Sequence, residues 1–596
     1  MSDVVSFKFS FDSNTIDLAQ TATLTVDASP FPPSPSGTVI WPFVNGSQWG
    51  SFVTCAVSGV NTPCVIRLPF PYAGSAIVQL AVLPEGRLWG GKVNATGGEC
   101  DETKGCGFVV GEPMPSPSTM LAISAPQTID VRWRAIRWAP NSLGDRTVCA
   151  DWEPWHTTKC GNTWMNRPGA FAMPLVGMYS SFHPGVMRQH AFWLVETGFN
   201  CILVDWSNNL WGGIPWSARS PCIQQLINAT VATLDEYAAL RDEGHDTPRA
   251  LTMMGLQNGP PASPQSLADQ ATWLYTSVVQ RLGQDLFVHL ENKPLIVVLA
   301  CGTDKKSPIP ITQFSLRYMG TQLQNTPDLG KKGFWSWMDG TDSPVPAIGP
   351  DGTPEALTVT PAWFAGGGWL GDAHGYRNGA TFLATMLQAL ATQPQFLLVC
   401  QWNEFAGNPD GSASYVDTYN ATFSNDMEPT STTECGGYVH HDDERQLPVC
   451  DDGWGFFPLN LLTASLHSYA DSLAPPPSPQ NATTLIRLTS PIDAGSDNGF
   501  DFLPAMVAGE MIDVAWTTLG PASKFTVTID GEVVATVTAG TAAVNATAVG
   551  LKAGRHTLKV VAEDGYTRFA LARDNVDVPL AEPVQASDSL TFVYSQ

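Results

Sequence analysis

Between about residue 145 and residue 473 the chain alternates short apolar runs with amphipathic stretches of helical period, and this constrains the fold more than any other feature. The apolar runs lie at 175–179, 201–206, 250–255, 295–300, 334–338, 363–365 and 396–401, with helical stretches at 185–197, 223–241, 266–282 and 381–391 between several of them. Buried strands joined by helices pair in parallel through right-handed crossovers. Seven strands, and an eighth expected at 454–460, predict a (β/α)8 TIM barrel over 145–473.

The flanks read differently. Residues 1–140 alternate polar and apolar over short runs, as in Val5-Ser-Phe-Lys-Phe-Ser-Phe11, with turns rich in Pro and Gly between them. That pattern predicts an antiparallel β-sandwich with one solvated face. Pro475-Pro-Pro-Ser-Pro479 marks a stiff linker over 474–484. From 485 to 596 strand signals recur, and Asp530-Gly531 marks a type I′ hairpin turn, so a second sandwich of immunoglobulin or fibronectin III type is expected. The fold class is thus multidomain, α/β plus all-β.

Charge narrows the partners. Lys and Arg number 31 against 55 Asp and Glu, a balance of −24. This deficit excludes nucleic acid, whose binding rests on neutralising phosphates. The sequence holds no apolar run long enough to span a membrane. Six glycosylation sequons, at Asn45, Asn94, Asn228, Asn420, Asn481 and Asn545, point to a secreted or cell-surface protein whose leader lies outside this sequence. The cysteine pairs Cys55/Cys64, Cys100/Cys106, Cys149/Cys160 and Cys435/Cys450 flank short loops and read as local disulfides, whereas Cys301 and Cys400 end apolar strands and read as buried thiols.

Candidate chemistry collects at strand ends, the active face of such barrels. Phe396-Leu-Leu-Val-Cys-Gln-Trp402-Asn403-Glu404 ends an apolar run in an indole, an amide and a carboxylate. A carboxylate there is costly to desolvate unless it has a partner or a role. Asp205-Trp206 ends the run at 201–206; Tyr179 ends the run at 175–179 and His183 follows it; Trp337 lies near the end of the one at 334–338 and Asp339 follows it. Paired carboxylates with aromatic neighbours suit sugar hydrolysis, in which one carboxyl moves a proton, another serves the anomeric carbon or a water, and an indole stacks on a pyranose. Glu404 is one of two candidate catalytic carboxylates, with Asp205, Glu428 in Asp426-Met-Glu-Pro or Asp339 as the other. Trp402, Asn403, Trp206, Tyr179, His183, Asp339 and Trp337 are the candidate substrate contacts. Glu153 in Asp151-Trp-Glu-Pro-Trp-His156 suits either a sugar-binding lip or packing at a domain junction, and His190 within its helix reads as structural. Asp304 and Asp372 are weaker strand-end cases, and His440-His-Asp-Asp-Glu444 reads as exposed loop rather than a metal site. The sequence contains neither a Gly-x-Ser-x-Gly elbow nor a His-Glu-x-x-His helix nor a phosphate-binding loop, so esterase, zinc protease and nucleotide chemistry lack their groups. No cofactor or metal is expected, and the expected partner is a carbohydrate.

Three stretches of the middle region resemble glycoside hydrolase family 99: Pro174-Leu-Val-Gly-Met-Tyr-Ser-Ser with the helix holding His190, Gly198-Phe-Asn-Cys-Ile-Leu-Val-Asp-Trp206, and Trp402-Asn-Glu404 with Met427-Glu-Pro429. The resemblance implies a (β/α)8 barrel and endo-acting hydrolysis of mannose-containing glycans. In the family motif Asn-Glu-Trp-His-Glu the first Glu matches Glu404, and the second position is Gly407 here. Glu428 matches a later Glu-Pro of that family loop. The lost second Glu keeps an alternative open: a non-catalytic surface glycoprotein whose barrel binds glycan or protein.

Overall fold

The computed structural model describes residues 5–27, 38–55, 64–82, 110–116, 120–139, 143–156, 174–207, 209, 215–255, 262–300, 308–320, 327–364, 373–405, 423–432, 453–491, 505–569, 571 and 580–595. Eight parallel strands form the central ring: β1 (Thr147–Trp152), β2 (Cys201–Trp206), β3 (Arg249–Gly255), β4 (Lys293–Leu299), β5 (Ser315–Gly320), β6 (Phe334–Ser336), β7 (Pro354–Val359) and β8 (Phe396–Val399). Their order is β6-β5-β4-β3-β2-β1-β8-β7, every neighbouring pair parallel. At the β6–β7 seam the Thr358 hydroxyl donates to the Ser336 carbonyl, and the antiparallel strand Ala347–Ile348 pairs with β7. The ring is therefore nearly closed.

The helices are α1 (Pro184–Thr197), α2 (Pro221–Asp242), α3 (Pro264–Leu274), α4 (Pro327–Lys331), α5 (Ala380–Thr392) and α6 (Phe457–Leu473). Their starts are written locally. Ser220 accepts the Ile223 amide and Ser263 that of Ser266, each followed by Pro at the first helical position. Gly198, at φ 117°, closes α1 in the left-handed conformation.

Side-chain parity sorts each strand into two faces. Cys149, Leu203, Leu251, Val297, Met319, Trp335 and Leu398 pack together inside the ring. Val148, Ile202, Val298 and Leu397 belong to the larger core that includes the helices. The inward face carries polar groups too: Arg317 of β5 donates from Nε to both carboxylate oxygens of Glu355 on β7, at 3.0 and 2.8 Å.

Three expected strands lie elsewhere. Residues 175–179 form a turn against the N-terminal strands: the Gly50, Ser51 and Val110 amides donate to the carbonyls of Val176, Leu175 and Met178. This apolar run is buried against the N-terminal region rather than by strand neighbours. Trp363 forms only an isolated bridge with His374, and residues 457–460 open α6. The ring is instead completed by β1, β5 and β7. The expected Cys149/Cys160 staple is also corrected, because Cys149 bonds Cys201, its register partner on the adjacent strand. Cys400 is a buried free thiol, as expected. The Cys100/Cys106 and Cys435/Cys450 pairs, Cys301, Asp304, Asp372, Gly407 and His440–Glu444 lie outside the described residues.

The N-terminal strands make two sheets. One runs Val5–Phe7, Ala122–Ser124, Gly74–Val82, Gln127–Arg132, Thr15–Asp17, with Thr38–Val44 and two short strands attached; the other is Phe9–Phe11, Thr21–Val26, Cys64–Pro69. The C-terminal region has Leu485–Ser490, Met511–Leu519 and Thr541–Asn545 in one sheet. A five-stranded sheet shares its core. Asp530 (φ 51°) and Gly531 (φ 88°) are both left-handed, as a type I′ turn requires.

Candidate active site

The inward parity of β1 and β2 carries carboxyls up to the C-terminal mouth of the ring. Asp151 is inward near the end of β1, Glu153 follows just beyond it, and Asp205 stands inward on β2. All three are buried, and the parallel register that sets Trp152 opposite Val204 puts the next residues, Glu153 and Asp205, side by side. Gln401, past the end of β8, donates to Glu153 Oε1 at 2.9 Å. The Trp337 indole donates to Asp151 Oδ2 at 2.6 Å. Asp205 accepts the Ser207 amide. Glu404 is close enough to this group for its charge to bear on Glu153.

Burial dominates the electrostatics. It lifts Asp151 and Glu153 well above the usual carboxylate range, Asp205 adding repulsion to both. Asp205 is raised as well by burial, against the opposing pull of its bonds from Ser207 and Glu153. Like charges this close cannot all ionise together, so the cluster retains protons at a pH where ordinary carboxyls have lost theirs.

Glu404 is held from behind. Asp426 accepts the Glu404 amide at 2.7 Å and the Phe405 amide at 3.1 and 3.2 Å, and Ser424 donates to its other side at 3.1 Å. Phe405 sits at φ 51°, unusual for a large side chain, and its ring stacks on Trp454 at 5.8 Å. The paired amides and this stack fix the conformation that aims Glu404.

A second buried network lies below. Tyr179 donates to Glu428 Oε2 at 2.7 Å and accepts from Asn403 Nδ2 at 3.0 Å. His190 Nε2 stands 3.0 Å from Glu428 Oε1. Asn403 Oδ1 accepts the Glu153 amide at 2.8 Å, and its carbonyl lies 2.7 Å from His156 Nε2. Burial lowers His156 to about 3, so a neutral imidazole donates there. Tyr179→Phe leaves Glu428 Oε2 without this donor in a fully buried place, and denaturant unfolding is expected to show a loss of about 1.5–3 kcal/mol. An unchanged midpoint would mean that the bond adds nothing to stability.

The structure therefore brings Asp205 and Glu404 to one mouth and sets Glu428 beneath it, with none of its surface exposed. Asn403 and Tyr179 join the supporting network. Trp402 is wholly buried; its amide donates to the Asp151 carbonyl and its own carbonyl accepts the Met427 and Glu428 amides. Trp206 has outward parity, and its indole donates to Thr230 of α2 at 2.9 Å, away from the carboxyls. His183 stands at the N-cap position of α1 and lies 5.9 Å, ring to ring, from Trp49 of the N-terminal region. Asp339 is buried and accepts the Ser336 hydroxyl at 2.8 Å. Of Tyr179, Trp206, Trp337 and Trp402, Trp337 alone is more than marginally exposed. The sequence pattern picks out Glu153 ahead of the expected first strand, whereas Asp151 and Glu153 lie at the tip of β1. The signal was present: Thr147-Val-Cys-Ala-Asp-Trp is strand-like and ends in an acid.

No protein-family model matches the chain, and no curated protein matches it. Among solved structures, a GH99 endo-alpha-mannosidase from Bacteroides thetaiotaomicron aligns at 13% identity over 55% of this chain and 99% of its own, with a TM-score of 0.36. A beta-glucuronidase from Parabacteroides merdae aligns at 9% identity over 99% of this chain and 64% of its own, with a TM-score of 0.32. Likeness at this level places the chain in no family. What the coordinates define is a class: a parallel-stranded barrel between two β-rich regions, with a buried carboxyl cluster at the barrel mouth.

Proposed function

We propose that the protein is a secreted glycoside hydrolase that cleaves O-glycosidic bonds of a polysaccharide or glycan, with Glu404 and Asp205 as its carboxylate pair. One observation carries the proposal. Carboxyls from β1, β2 and the end of β8 converge at the mouth of the ring, where Glu404 and Asp205 retain 7% and 6% of their surface while Asp151 and Glu153 retain 2% and 1%. The two most accessible acids can meet a substrate, and the deeper two set the field around them. One of the accessible pair protonates the leaving oxygen and the other serves the anomeric carbon or a water; their separation decides retention or inversion. Trp337 offers the rim surface for a sugar face. Secretion is supported by sequon positions Asn45, Asn228 and Asn481, all solvent-exposed.

The test is release of reducing ends from a panel of neutral polysaccharides and aryl glycosides by the wild-type chain. The expected result is turnover of at least one substrate class, lost in Asp205→Asn at unchanged thermal stability. Glycan binding without release on prolonged incubation would instead support the second reading, a non-catalytic glycan- or protein-binding barrel. Two observations favour that reading: Gly407 stands where the resembling family has its second Glu, and Glu428 is enclosed by Tyr179 and His190.

A further inference from the structure

We propose that Glu153 is a positioning residue that holds one proton inside the carboxyl cluster and thereby keeps Asp205 ionised. Its link to catalysis rests on the hydrolase reading, in which Asp205 meets the substrate; the proton itself does not. The argument starts from strand geometry. β1 and β2 are adjacent and parallel with Trp152 opposite Val204, so the next residues, Glu153 and Asp205, stand side by side where those strands end, close enough for each carboxyl to bear on the other. Two ionised carboxylates only accept, so a bond between them requires a proton on one.

Donor supply decides which. Asp205 accepts both the amide and the hydroxyl of Ser207, which stabilise a charge. Glu153 Oε1 accepts Gln401 Nε2 at 2.9 Å, but among the described residues no N–H or hydroxyl donates to its buried Oε2. Ionised, Glu153 would leave that oxygen unsatisfied; protonated, it donates from there to Asp205. The charges bearing on Glu153 come from Asp205 on β2, Asp151 on β1 and Glu404 beyond β8, all of one sign. Burial, the largest influence, acts the same way and lifts Glu153 well above its ordinary range.

The sign of the consequence follows. A carboxyl raised on folding binds a proton that the unfolded chain has released, so folding stability falls as pH rises from about 4.3, the unfolded value, towards the folded one. Glu153→Gln preserves the shape: its carbonyl can accept from Gln401 and its amide can donate to Asp205, but it cannot titrate. The experiment is urea unfolding of the full chain across pH 5–8, wild type against Glu153→Gln. The expected result is a dependence on pH shallower by about one proton in the variant. Superimposable slopes would overturn the proposal. Carboxyl-carbon NMR of selectively labelled wild-type protein gives a measure independent of how the variant folds. One Glu carboxyl is expected to remain protonated at neutral pH while Asp205 is ionised, and a spectrum in which every Glu is ionised there would overturn the assignment. Neither measurement needs turnover, so a chain that hydrolyses nothing could still pass both.

Discussion

Glu404→Gln is expected to lower glycan hydrolysis by about three orders of magnitude, the range lost when a carboxyl that moves a proton or attacks is neutralised. The fold should be untouched. Gln is isosteric, and the bonds that aim this residue run from its backbone and that of Phe405 to Asp426, so they survive the change. Loss of rate with an unchanged melting midpoint therefore separates chemistry from structure. Two further measurements on the variant assign the role. If Glu404 serves the anomeric carbon, a small external anion such as azide restores turnover by taking its place. If it is the acid, aryl glycosides with a good leaving group keep most of their rate, because the departing oxygen no longer needs the proton. A variant hydrolysing its glycan at the wild-type rate would remove Glu404 from the mechanism.

How much of this was legible in the sequence depends on what each strand turns inward. β2, β3, β4 and β8 present continuous apolar runs and are read at sight. β5 and β7 point Arg317 and Thr358 towards the interior or seam, and β1 points Asp151 there. These polar residues interrupt the hydrophobic signal, yet each has a partner on or just beyond another strand that no local pattern names. The same holds for Cys149. A separation of 11 to Cys160 favours that partner in loop-closure terms, but parallel register brings Cys201 alongside from 52 residues away.

At the site, a single step of parity separated two neighbouring candidates. Asp205 turns into the ring and Trp206 turns to Thr230 among the helices. Glu404 could be picked out because a carboxylate after an apolar strand stands out in one dimension. The role of Asp426 could not, since its partners are backbone amides 21 and 22 residues away. The contact between Tyr179 and Glu428, 249 residues apart, is likewise a product of folding alone. It arises because the turn at 175–179 is clamped between the N-terminal strands and the loop beyond β8, where the Leu175 amide donates to the Pro429 carbonyl.

The largest stability effect is expected where the C-terminal sheets meet the barrel. Arg487 pairs with Asp588 at 3.1 Å, both nearly buried, donates from Nε to the Asn378 carbonyl at 2.6 Å, and lies over the Phe457 ring at the start of α6. Burial lowers the arginine and raises the aspartate, each against the pull of its partner, so desolvation offsets much of the attraction. Such a pair contributes little net stability while intact and is costly to break. Arg487→Met strands the Asp588 carboxylate, and denaturant unfolding is expected to show a loss of about 3–5 kcal/mol. Arg487→Met combined with Asp588→Asn should recover most of that loss, since the amide oxygen still accepts a backbone N–H such as that of Leu488, 2.8 Å from the native carboxylate, and no charge remains buried. If the double variant is as unstable as the single one, the Asn378 bond and the Phe457 contact, rather than charge pairing, hold the two regions together.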